Sequence, residues 1–156
     1  MQIDDAPSRT ARGPDGLHVE RIELARYDEV RRLNEAVFGD DRVIYRLDRD
    51  DLTLLLATVA GEAVGYKVGY GESPTTFYSA KGGVVDGWRR RGVARALLVR
   101  MEDEARRLGY RRFAFDTFPN RHPGMTVLGL AERFTVTAAG YNAAYRDYRI
   151  RFERDL

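Results

Sequence analysis

The sequence predicts an α/β domain built on one mixed sheet of about seven strands with about four helices around it. Two observations carry that expectation. The run from Val93 to Leu108 is a strongly amphipathic helix: Ala94, Leu97, Leu98, Met101, Ala105 and Leu108 share one face, Glu102 and Arg106 form an i,i+4 pair, and Gly109 is its stop. Extended apolar runs flank it, one ending at Val85 and one alternating at Phe113 and Phe115. Strand, helix and strand of this length form a βαβ unit, so those two strands run parallel.

Taken in order, residues 1–16 mix Asp, Pro, Ser, Arg and Gly without periodicity and read as a flexible leader; a single domain is expected over residues 17–156. Leu17, Val19, Ile22 and Leu24 give an irregular first strand. Asp28 sits in the first turn of a helix with Val30, Leu33 and Val37 at helical spacing and Gly39 as its stop. A weaker helical patch follows around Val43, Ile44 and Leu47. Leu54 to Val59 is a buried strand, and Gly61-Glu62 suits a two-residue type II′ turn. On the return, Val64, Tyr66, Val68 and Tyr70 alternate with Gly65, Lys67 and Gly69. After a turn over residues 71–75, Phe77 begins the strand leading to Val85, and Gly82-Gly83 inside it suggests a bulge or a close backbone approach. Asn120 to Gly124 breaks the chain before a short helix from Met125 to Arg133. Phe134 begins a late strand, and Tyr148, Ile150 and Phe152 alternate with Arg149, Arg151 and Glu153 in the last.

Composition removes several classes of function. At 156 residues, 44% apolar and 32% charged, the chain suits one globular domain. No apolar run approaches the roughly 20 residues of a membrane span, and the N-terminus lacks the apolar core of a signal peptide, so a cytoplasmic protein without a membrane partner is expected. There is no Cys, hence no disulfide and no thiolate nucleophile; with only His18 and His122, no metal centre is expected. The net charge is +2, acidic residues are interspersed with the arginines, and Lys67 and Lys81 are the only lysines, so no block of basic sequence advertises nucleic acid.

The stretch that carries chemistry runs from Gly82-Gly83-Val84-Val85 through Asp86-Gly87-Trp88 to Arg89-Arg90-Arg91-Gly92-Val93-Ala94, a strand ending in a Gly- and Arg-rich turn that opens the long helix. Free amides at a helix start favour an anion. Gly92 and Ala94 let a phosphate approach the backbone, and Arg89, Arg90, Arg91 and Arg95 add positive charge. A Walker-type loop would need Gly-Lys-Ser/Thr where Val93, Ala94 and Arg95 follow the turn, and the glycines lack the G-x-G-x-x-G spacing of a dinucleotide fingerprint. What fits is Arg89-x-x-Gly92-x-Ala94. It resembles the Q/R-x-x-G-x-G/A signature of the GCN5-related N-acetyltransferase (GNAT) superfamily, with Trp88 at the usual aromatic position and Leu97-Leu98 one turn later. The element order is similar to that fold over about Leu17 to Leu156.

The resemblance implies an acetyl-coenzyme A-dependent N-acetyltransferase, with acetyl-coenzyme A as co-substrate and an amine on a small molecule or a protein as acceptor. It implies that the loop from Arg89 to Arg95 binds the pyrophosphate and that the parallel central pair splays to admit the pantetheine arm. A backbone N–H at Val84 or Val85 would polarise the thioester, and Asn120 would hold the arm. It also implies a possible homodimer through the late strands. Met125 and Phe134 match the family spacing, but Arg133 replaces the usual Gly before the Phe. Gly129 falls where many members carry Tyr or Asn, so the thiolate-protonating role of that Tyr is not transferred. A lysine-like amine, with a pKa of about 10.4, must lose a proton before it attacks. Asp116 is the candidate base, acting through a water, and Tyr141 and Tyr145 are the candidate acids; His122 reads as a solvent-exposed loop residue. The alternative is a catalytically silent acyl-coenzyme A-binding module of the same fold.

Overall fold

The computed structural model describes residues 13–156. Most of the expected leader, residues 1–12, lies outside the described residues; Leu17 N–H donates to Pro14 O at 3.0 Å in the turn that enters the first strand. The order is β1 (Leu17–Ile22), α1 (Tyr27–Phe38), β2 (Thr53–Val59), β3 (Glu62–Gly71), β4 (Thr76–Val84), α2 (Val93–Arg107), β5 (Arg112–Thr117), α3 (Pro123–Ala131), β6 (Thr135–Asn142) and β7 (Asp147–Asp155). Short 3-10 turns cover Leu24–Arg26 and Asp86–Trp88. One sheet holds all seven strands in the order β1-β2-β3-β4-β5-β7-β6. Neighbours are antiparallel except β4 and β5, which are parallel as the crossover through α2 requires.

The sheet is covered on both faces. On one, Val30 and Leu33 of α1 pack with Ile22, Leu54, Leu56, Tyr66 and Val68. On the other, Leu97, Leu98 and Met101 of α2 pack with Leu55, Phe77, Phe113, Phe115 and Phe152, joined by Met125 and Leu128 of α3. The alternation read for β3 holds from Tyr66 onward, but Val64 packs with the α2 cluster. The reason is a bulge: Ala57 pairs with Gly65 and Thr58 with Ala63, which leaves Val64 as the extra residue.

Three local expectations are corrected. No helix forms between α1 and β2. The buried Asn34 amide donates to Asp40 O, and Lys81 Nζ donates to Arg42 O at 3.0 Å, so side chains take carbonyls that a helix would need. The β2–β3 turn is centred on Ala60-Gly61, with φ of 50° and 80°, and Val59 pairs with Glu62; two positive φ values mark a type I′ rather than a II′ turn. The bulge in β4 falls at Ala80, because Val68 pairs with Lys81 and Gly69 with Ser79. Gly82 and Gly83 pair regularly with Lys67 and Tyr66 and serve close approach instead: a Cβ on Gly83 would lie 3.1 Å from Val37 Cγ1 and 3.2 Å from Tyr66 Cε1.

The C-termini of α2 and α3 show why Arg133 is an anomaly. After α2, Tyr110 N–H reaches Ala105 O and Gly109 N–H reaches Arg106 O, a Schellman closure with Gly109 at φ 92°. After α3, Phe134 N–H reaches Gly129 O and Arg133 N–H reaches Leu130 O, the same closure with Arg133 at φ 63°. An L side chain in that conformation costs about 1 kcal/mol. Arg133→Gly is therefore expected to raise stability by several tenths to about 1 kcal/mol in urea unfolding, after the entropy cost of a more flexible unfolded chain. A loss of stability would show that the Arg133 side chain contributes more than its backbone conformation costs.

Candidate active site

The parallel pairing runs from Thr76 opposite Arg112 to Ser79 opposite Phe115 and stops there, while β4 continues to Val84 and β5 to Thr117. Ala80 to Val84 thus has a neighbour only on the β3 side, and a gap opens between the central strands toward the N-terminus of α2. Val85 N–H donates to Val64 O at 3.0 Å, which points it at β3. Groups alternate sides along an antiparallel ladder, so the N–H groups of Val84 and Gly82 point into the gap. Of the two amides expected to polarise a carbonyl, Val85 is already occupied and Val84 is left.

At the top of the gap the chain turns into α2 through two left-handed residues, Arg90 at φ 59° and Gly92 at φ 86°. Gly92 is the N-cap, no side chain caps the helix, and the Gly92 carbonyl accepts from Ala96 N–H at 3.0 Å. Val93 and Ala94 therefore present amides without an intrahelical acceptor, arranged where an anion is favoured. The arginines divide by role. Arg89 Nε donates to Val84 O at 3.3 Å and lies 3.4 Å from Asp86, bracing the strand end. Arg91 lies over the Trp88 ring at 5.1 Å, and Arg95 pairs with Glu132 at the end of α3. Arg90 is exposed beside the amides.

Asp116 lies just beyond the last parallel pair, on the α1 face of the sheet. Its Oδ2 accepts from Tyr78 OH at 2.7 Å and is 3.9 Å from Arg151, while its Oδ1 is buried without a protein partner. Arg151 is held in turn by Glu72 and Glu153 and lies over the Tyr78 ring at 5.6 Å. Burial first, then the Asp116 charge, pushes the Tyr78 phenol well above its usual range, so it stays a proton donor to Asp116. Sequence reading missed Tyr78 and Arg151. Both follow from strand registers, which composition does not reveal.

His122 is exposed in the loop before α3, as the sequence reading expects. Its ring meets Phe38 at the end of α1 edge-on at 5.8 Å. Partial burial, then the charges of Arg121, Arg89 and Lys81, lower its pKa below 6.5, so it is neutral at pH 7. Asn120 donates to Asp147 Oδ1 at 2.9 Å, tying the loop after β5 to the start of β7. Of the two candidate acids, Tyr141 is exposed and meets Tyr148 at 5.4 Å. Tyr148 lies three residues from Arg151 on β7, so strand alternation puts the Tyr141 ring on the face away from Asp116. Tyr145 packs on Phe118, directly after β5, at 4.9 Å. Gly129 faces the core: a Cβ there would lie 2.9 Å from Phe152 Cε2 and 3.0 Å from Phe115 Cζ, so two Phe rings fill the space a Tyr would need.

A strand–turn–helix anion cradle opening onto a gap between two parallel strands defines an acyltransferase-type architecture. The model of the Acetyltransferase (GNAT) family matches residues 23–128, more than half of the chain, and the chain belongs to that family. A comparison with curated proteins finds no match. Among solved structures, a GNAT family acetyltransferase from Elizabethkingia anophelis with acetyl-CoA bound is 17% identical with a TM-score of 0.74, covering 92% of this chain and 100% of that one. A Bacillus subtilis acetyltransferase in complex with CoA is 19% identical with a TM-score of 0.74, covering 90% and 99%. The ribosomal-protein-S18-alanine N-acetyltransferase from Escherichia coli is 11% identical with a TM-score of 0.73, covering 89% and 93%. At these identities the likeness shows the fold.

Proposed function

We propose that the protein is an acetyl-CoA-dependent N-acetyltransferase acting on an amine of a small molecule or a protein. The observation that carries the reading is the continuity of the helix-start amides at Val93 and Ala94 with the edge of β4 that β5 leaves uncovered. The bound acetyl-CoA and CoA in the Elizabethkingia and Bacillus structures support it. The residues present fit such a co-substrate: donors for a diphosphate at the helix start, beside Arg90, and a free strand edge for an amide-bearing arm.

Acetyl-CoA supplies an acyl group activated as a thioester. This chain would then perform three tasks. Val84 N–H donates to the carbonyl oxygen as negative charge builds there, an interaction worth about 3 kcal/mol for one well-placed donor. Asp116, its Oδ2 held by Tyr78, is the carboxylate assigned to accept the acceptor amine's proton through a water. Tyr145, beside the exit of β5, is the phenol assigned to protonate the departing thiolate. Neutral His122 adds no charge that would repel an incoming ammonium.

Release of free thiol with a panel of primary amines tests the reading. Asp116→Asn is expected to lower kcat about 100-fold while acetyl-CoA affinity holds. A larger loss in His122→Gln with Asp116→Asn unaffected would move the base to His122. Tight acetyl-CoA binding without thiol release for any amine would favour the silent binding module, for which the occupied Gly129 position already speaks.

A further inference from the structure

Lys67 is a lysine the proposed chemistry leaves unused. It is only 5% exposed, and lysine is almost never this buried without a partner. It lies on β3 facing α2, opposite Gly82 of β4. A Cβ on Gly82 would sit 3.4 Å from Lys67 Cγ and 3.5 Å from Nζ, so the side chain lies across the bare glycine. That direction, from β3 over β4, leads to the unpaired edge where β4 and β5 part. Gly82 lies beyond Ser79, the last residue paired to β5, and on the same edge as the Val84 N–H.

Among the described residues no hydrogen bond or ion pair holds Lys67 Nζ; the charge acting on it is Glu102. Glu102 Oε2 is committed to Arg154 and lies 3.5 Å from Arg106, and its Oε1 is buried without a partner. Two incompletely matched polar groups therefore lie on the α2 side of the sheet, coupled through their charges and not by direct contact. The second lysine differs: Lys81 Nζ is on the opposite face, donates to Arg42 O and lies over the Phe38 ring at 4.8 Å.

We propose that Lys67 is a self-acylation site: its amine, at the floor of the gap between β4 and β5, takes the acyl group of an acyl-CoA bound to the same chain when no acceptor amine is present. The inference rests on the acyl-CoA reading above. Lys67 first gives up one proton to solvent; burial has lowered its pKa from 10.5 to about 8, which leaves roughly a tenth of the amine neutral at pH 7. The nitrogen lone pair attacks the thioester carbon, the C–N bond forms, the C–S bond breaks, and the second nitrogen proton passes to the leaving thiolate. The products are Nε-acyl-Lys67 and free coenzyme A. The amide is stable and uncharged, so the chain ends with the gap partly filled and the cation beside Glu102 removed.

With two lysines in the sequence the test is direct. The full chain is incubated with acetyl-CoA and no acceptor, then followed by intact mass and peptide mapping, with calorimetry to establish binding. The expected result is one acetyl group per chain on Lys67, formed at a rate independent of protein concentration and slowed more than tenfold in Gly92→Glu. Lys67→Arg should bind acetyl-CoA and stay unlabelled; should it fail to fold, the wild-type peptide map alone decides. Label on Lys81 or the chain's N-terminal amine instead, equal labelling in Gly92→Glu, or no label on a protein that binds acetyl-CoA would each overturn the inference about Lys67. Failure to bind acetyl-CoA would overturn the reading of the whole site with it.

Discussion

Gly92→Glu should weaken acetyl-CoA binding at least 100-fold, a cost of about 2.7 kcal/mol. Two effects act at one position. Gly92 has φ 86°, which an L residue adopts at a cost of about 1–2 kcal/mol, so the turn opening α2 would be strained or rearranged. The new carboxylate would stand beside the amides of Val93 and Ala94, where it would satisfy those donors itself and repel a diphosphate. Gly92→Ala separates the two, since it keeps the strain and adds no charge; it should lose only a few-fold. Calorimetric titration of both variants, with thermal unfolding as a check on folding, gives the comparison. Equal affinity in wild type and Gly92→Glu would remove the loop from the binding site.

Lys67→Met carries the largest expected effect on stability. A buried ammonium is disfavoured, and burial takes the Lys67 pKa from 10.5 to about 8 with Glu102 opposing the change. The folded-state pKa lies below the unfolded one. Between about pH 8 and 10.5 the unfolded chain therefore binds more protons, and unfolding free energy rises with pH across that window. Below pH 8 the ammonium is charged in both states and the full penalty is present, on the order of 3 kcal/mol. Met fills a similar volume without charge, so Lys67→Met is expected to be more stable at pH 7 by up to roughly that amount and to lose the alkaline rise. The phenols of Tyr66, Tyr78 and Tyr110 shift upward on folding, which lowers stability above their unfolded pKa near 10, so the comparison belongs below pH 10. Urea unfolding at pH 7 and pH 9.5 provides it; a less stable Lys67→Met at pH 7 would contradict a net penalty.

Much of this fold was legible because its strongest signals are local. The amphipathic run after Val93, its Gly109 stop and the apolar strands on either side required a parallel pair joined by a helix, and that unit positions everything else. The anion cradle was legible for the same reason: Gly92 opens the helix at a positive φ in a turn read from adjacent residues. What stayed hidden depends on register and on distant partners. Glu102 reads in sequence only as an i,i+4 partner of Arg106, yet it and Glu104 are 1% and 3% exposed because Arg154, Arg106, Arg100, Arg107 and Arg21 converge on them. Tyr78 and Asp116 are 38 residues apart, and only the parallel register joins them. The unusual glycine at 129 was visible as a departure from the family pattern; the Phe115 and Phe152 rings that require it were not.

Backbone amide resonances followed during titration, first with coenzyme A and then with acetyl-CoA, test the central claim most directly. The account predicts that Val93 and Ala94 shift and become protected from exchange with either ligand, and that Val84 responds further when the acetyl group is present. Unmoved resonances at Val93 and Ala94 under saturating ligand, or a Val84 amide already protected in the free protein, would contradict it.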